Sequence, residues 1–100
     1  MVYSRYYHRR KILNMMENVL PIARLLLTQM RANYDHYYKN RNFCNLLERK
    51  INFIEEGMRH RRLCTNEEYL KIDDDYIKNE LRNEIPELME QLRVLLSRRL

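Results

Sequence analysis

The chain has 100 residues, with 19 Lys and Arg against 14 Asp and Glu, one glycine, two prolines, two cysteines and no tryptophan. A single glycine, where average usage is about 7%, excludes most β architectures, whose turns need residues that tolerate positive φ. It also excludes the glycine-rich loops of P-loop sites, dinucleotide sites and nucleophile elbows. The composition predicts an all-α protein. We expect one domain over residues 1–100, a compact helical bundle of four to five helical segments, with long helices kinked or broken at Pro21 and Pro86.

The chain opens with Arg5, Arg9, Arg10 and Lys11 interleaved with Tyr3, Tyr6, Tyr7 and His8. From Ile12 the apolar residues keep helical phase through Met16, Val19, Ala23, Leu26, Met30, Tyr34 and Tyr37, and Leu13, Leu20 and Leu27 widen the stripe to core-facing width. Pro21 interrupts this pattern, with Asn18 placed to cap a helix in which the proline falls in the first turn. A middle segment carries Phe43, Leu47, Ile51, Ile54 and Met58, flanked by Leu46 and Phe53, and closes on Gly57 and the polar run Arg59–Arg62. Thr65-Asn66-Glu67-Glu68 is a capping box that starts a further helix near residue 66. Ile77, Leu81, Ile85, Leu88, Leu92 and Leu95 then hold one phase across Pro86. The last turns of that stripe are expected to reach a partner if they stay exposed.

Residues 3–17 match residues 34–48 with six identities in fifteen positions, and the N-cap residues Ser4 and Asp35 stand at equivalent places. This is consistent with a duplicated helical unit or with two convergent helix starts. Charge is uneven: residues 1–63 form a basic helical part at +8, and residues 64–100, an acidic capped helix plus a C-terminal helix, stand at −3. The basic part can neutralise phosphates, dock on an acidic protein face, or face the acidic part of its own chain.

Cations beside tyrosines can track a phosphate backbone while the rings stack on unpaired bases. The candidate binding residues are therefore Arg5, Tyr6, Arg9, Arg10 and Lys11 in one patch and Tyr37, Tyr38, Lys39 and Arg41 in a second, where Tyr34 also stands. The same residue types are enriched at protein interfaces. His60 with Cys64, completed by Cys44 and His36, lacks the spacing of a zinc site. Asp73, Asp75 and Glu84 do not form a calcium loop, because Ile77 and Lys78 occupy the places of a ligand and the turn glycine. Ser4 and Ser97 are the only serines, and no serine/histidine/aspartate or cysteine/histidine arrangement is suggested. We expect no catalysis, no cofactor and no metal.

Tyr37-Tyr38-Lys39-Asn40-Arg41-Asn42 resembles the Phe/Tyr-x-x-Asn-Lys/Arg-Asn-like element of the small basic LYR-motif proteins, and Gly57 falls near a glycine that family often has. The resemblance covers residues 5–63 and lacks the Leu-Tyr-Arg element, where Tyr6-Tyr7-His8-Arg9 stands instead. It implies a mitochondrial helical protein that binds an acidic acyl carrier protein. The residues themselves point to a non-catalytic subunit for protein–protein assembly or homo-oligomerisation, with nucleic-acid binding through the Arg/Tyr surfaces as the alternative. Two cysteines without a disulfide framework predict an intracellular setting, cytoplasmic or nuclear, with the mitochondrion open on the basic start. No apolar run approaches the roughly 18 residues of a membrane span.

Overall fold

Two long helices meet at Asn33. Helix α1 covers Arg5–Ala32 and α2 covers Tyr34–His60. The computed structural model describes residues 5–60 and 74–98, the side chains of residues 5, 6, 8, 59 and 60 excepted. Its third helix, α3, is helical from residue 74, passes through a π-helical turn at Glu80–Glu84 and continues as an α-helix over Ile85–Ser97. No strand occurs among the described residues. The capping box at Thr65, the N-cap Ser4, and Cys64 lie outside them.

Asn33 serves both helices. Its N–H donates to the Met30 carbonyl at 3.2 Å, closing α1, while its own carbonyl accepts from Tyr37 at 2.9 Å. Its side-chain Oδ1 accepts the His36 N–H at 3.3 Å, which makes Asn33 the N-cap of α2. The cap expected at Asp35 is thus placed two residues earlier, and Asp35 sits inside the first turn, where the helix dipole favours a carboxylate. The corner is built without positive φ, which is how a chain with one glycine turns. Asn33→Ala is expected to lower stability by about 1 kcal/mol, read as a lower denaturation midpoint at unchanged slope.

The interruptions fall elsewhere than at the prolines. α1 runs through Pro21 as one helix of 28 residues. Pro21 is exposed while Leu20, Ala23, Leu26 and Leu27 around it are buried, so the carbonyl that loses its donor faces water and core packing holds both flanks. α2 instead bends at Asn40, whose φ of −120° and ψ of 19° leave the helical region. There the Asn40 side-chain amide donates to the His36 carbonyl at 3.0 Å, serving the acceptor four residues back. In α3 the expected break at Pro86 becomes the π-helical turn just before it, in which the Ile85 N–H reaches the Glu80 carbonyl. The wider turn gives the proline ring room. It also corrects phase, because Ile77, Leu81 and Ile85 follow at steps of four, each overshooting a 3.6-residue turn by about 40°. Among the described residues, three helices with these internal irregularities stand where four to five segments were expected.

The core is one cluster drawn from all three helices. Ile12, Ala23 and Met30 of α1 meet Cys44, Leu47, Ile51 and Ile54 of α2 and Leu81, Ile85 and Leu92 of α3. Leu88 and Leu92 are buried, and Leu95 and Leu96 pack against the cluster. Leu88 and Leu92 are thus spent on the fold, while Leu95 and Leu96 are only partly buried and Val94 is 42% exposed. α1 and α2 are antiparallel: Arg24 reaches Glu55 at 2.7 Å, and seven residues further along α1 Arg31 pairs with Glu48, seven residues earlier in α2. Both pairs are exposed, each worth at most about 1 kcal/mol, and they set register more than stability. The molecule measures 53 × 22 × 17 Å.

Candidate functional site

The two Tyr/Arg patches do not form one surface. The first begins α1 and the second follows its end, about 35 Å away at 1.5 Å per residue. In the first, the side chains of Arg5 and Tyr6 lie outside the described residues. Arg10 is exposed, and Arg9 and Lys11 are half-buried. Successive residues are turned by about 100° around a helix, so these three cations leave α1 on different sides.

The second patch divides its rings. Tyr37 turns inward against the core, with the Arg31 guanidinium 6.0 Å from its centroid. Tyr34 and Tyr38, one helical turn apart, lie 74% and 62% exposed, stacked on each other with centroids 6.1 Å apart and planes at 23°. Arg41 stands 5.7 Å over the Tyr38 ring, and Lys39 is exposed beside it. Tyr34 was expected on the inward stripe. The helix ends at Asn33, so the phase of α1 does not carry across the corner. The matched repeats also differ in burial: Ile12 is buried and Leu13 exposed, whereas the equivalent Phe43 is exposed and Cys44 buried. The buried face of α2 is thus shifted by one residue relative to the repeat.

Beside the buried face runs a second row. The inner face of α2 is Cys44, Leu47, Ile51, Ile54 and Met58; one residue earlier runs Phe43, Leu46, Lys50, Phe53 and Gly57, with the same three-and-four spacing. Phe43 is 43% and Phe53 60% exposed, and the Tyr76 ring of α3 meets Phe53 edge-on at 5.9 Å. Leu46, Arg49, Phe53, Tyr76 and Glu80 line a shallow groove of about 290 Å³. Lys50 occupies the centre of the row and binds both carboxylate oxygens of Glu80, at 3.1 and 2.9 Å. Glu80 is only 5% exposed, so the pair neutralises the row and ties the basic part of the chain to the acidic part. Partial burial, then the Glu80 carboxylate, pushes the Tyr76 phenol above its usual value.

Comparison with known families, curated proteins and solved structures finds no match for this chain. The likeness of Tyr37–Asn42 to the LYR-motif element is therefore carried no further.

Two other groups are buried without forming a site. Burial pushes the Cys44 thiol up, with Arg31 opposing the shift. His36 is buried, and its Nδ1 has no hydrogen-bond partner. Among the described residues no cluster of three His, Cys, Asp or Glu is arranged to hold a metal ion, and no helix is long and apolar enough to cross a membrane. His60, Cys64 and Asp73, considered above as ligands, lie outside the described side chains. The Lys50–Glu80 pair and the outer row were not evident beforehand, because packing against the other helices decides which of two adjacent rows of α2 faces the core.

Proposed function

We propose that this chain is a non-catalytic assembly subunit that pairs with a second copy of itself through the outer row of α2. The observation that carries the reading is the heptad-spaced run of exposed apolar side chains, Phe43, Leu46 and Phe53, continued by Tyr76. Large apolar side chains left this exposed and spaced for knobs-into-holes packing bury further against another helix.

Gly57 supports a second copy as the occupant. A glycine within a helix costs about 1 kcal/mol relative to alanine, and a Cβ at Gly57 would meet nothing within 4 Å. Nothing within the described fold requires it. Phe43 and Gly57 stand seven residues on either side of Lys50, so antiparallel pairing at that level sets the Phe43 ring of each copy against the open space of the other. The charge at the centre is already neutralised within each chain by Glu80.

Sedimentation velocity on the full chain is expected to give a mass that rises toward a dimer with concentration. Phe53→Glu is expected to abolish the rise with helicity unchanged by circular dichroism. Gly57→Ala is expected to raise the monomer's stability by about 0.5–1 kcal/mol while weakening association. A monomer at every concentration, or dimerisation indifferent to Phe53→Glu, overturns the proposal.

A further inference from the structure

We infer that Tyr34 and Tyr38, with Lys39 and Arg41, form a stacking platform for single-stranded nucleic acid. The site lies on the first turns of α2 and shares no residue with the outer row, so it stands or falls independently of self-association.

Both rings are more than half exposed and face each other across one helical turn. Tyr37, in the same turn, already supplies the packing that this end of the helix needs. Tyr38 has Tyr34 stacked against it and Arg41 over its ring, so the π face left open on the surface is the outer face of Tyr34, at a place where burial does not explain it. Arg41 over Tyr38 and the exposed Lys39 add positive charge beside the rings without covering both of them. Arg31 is bound to Glu48 and contributes no free charge. Asp35, exposed in the first turn, opposes an anion there, so the attraction is short-ranged and rests on two cations.

Aromatic faces with flanking cations match the chemistry of unpaired bases on a phosphate backbone. A duplex hides its base faces inside the stack and would engage the cations alone. An acidic peptide would likewise use Lys39 and Arg41 but gain nothing from stacking. The exposed rings therefore favour the single strand.

Fluorescence anisotropy with a fluorescein-labelled oligothymidylate tests the assignment, with a duplex of equal length and polyglutamate as competitors. Single-strand binding is expected to outcompete both. Tyr34→Ala is expected to weaken it by about tenfold or more, and Tyr34→Phe to retain it, because stacking uses the ring and not the hydroxyl. The logarithm of the binding constant is expected to fall against that of salt with a slope of about −1.4, the value for two phosphate contacts on a single strand. Arg82→Ala, exposed on α3, is expected to leave binding within about twofold, as non-contacting surface changes do. Circular dichroism controls for folding of each variant. Absence of binding, equal affinity for the duplex, displacement by polyglutamate, or indifference to Tyr34→Ala with Tyr38→Ala overturns the inference.

Discussion

Lys50→Met is expected to destabilise the protein by about 3 kcal/mol, the scale seen when one partner of a buried ion pair is removed. The reason lies in what is left behind. Glu80 is 5% exposed, and both of its oxygens accept from the Lys50 ammonium; methionine keeps the stem's packing and withdraws the charge, so the carboxylate stays buried against Tyr76 without a cation. Adding Glu80→Leu to the same variant is expected to recover most of the loss, since two apolar side chains of similar volume replace a buried pair at little or no net cost. Glu55→Gln, which removes one partner of the exposed Arg24 pair, is expected to change stability by less than about 1 kcal/mol. Urea denaturation of the variants checks all three. Equal losses for Lys50→Met and Glu55→Gln, or no recovery in the double variant, would show that Glu80 is hydrated rather than sheltered.

The two rows of α2 give the second large contrast. Leu47→Ala is expected to cost about 3 kcal/mol, because Leu47 is fully buried among side chains from the other helices and its removal leaves a cavity. Phe43→Ala removes a larger side chain and is nevertheless expected to cost less than about 1 kcal/mol in the monomer, since that ring is 43% exposed. The ordering matters more than either value. A chemical-denaturation series in which Phe43→Ala proves as costly as Leu47→Ala would mean that the outer row is already covered, and the surface proposed for self-association would not exist.

Much of this arrangement was legible in advance. The apolar residues of α1 and α3 fall on the core as their spacing predicts: Ile12, Ala23, Leu26 and Met30 in one, and Ile77, Leu81, Ile85, Leu88 and Leu92 in the other. Tyr34, Leu13 and Phe43 were placed on inward stripes and are exposed. Tyr34 was read in phase with α1, yet Asn33 ends that helix; Phe43 stands one turn before Leu47 in the regular stretch beyond the bend at Asn40, so that bend does not account for its exposure. At both asparagines the side chain offers the backbone a hydrogen bond that competes with the helical one. Other asparagines, such as Asn18, stand in comparable positions without interrupting a helix, so residue type alone does not tell which will act.

The prolines teach the converse. Both were expected to kink or break long helices, since the ring removes a donor and crowds the preceding turn. At Pro21 the ring faces solvent and the flanking core residues hold the helix straight through; at Pro86 a π-helical turn accommodates it upstream. Whether a local defect becomes a break depends on what packs around it.

By itself, then, the sequence determined the helical class, the apolar faces of α1 and α3, and the absence of glycine-dependent loops, because these follow from composition and from a 3.6-residue period that neighbouring residues set among themselves. The tertiary structure decided which tyrosines face outward, which row of α2 enters the core, and that Lys50 and Glu80 form a sheltered pair. Those outcomes depend on helical phase across Asn33, Asn40 and the turn at Glu80–Glu84, and phase across an interruption is settled by packing between residues distant in the chain.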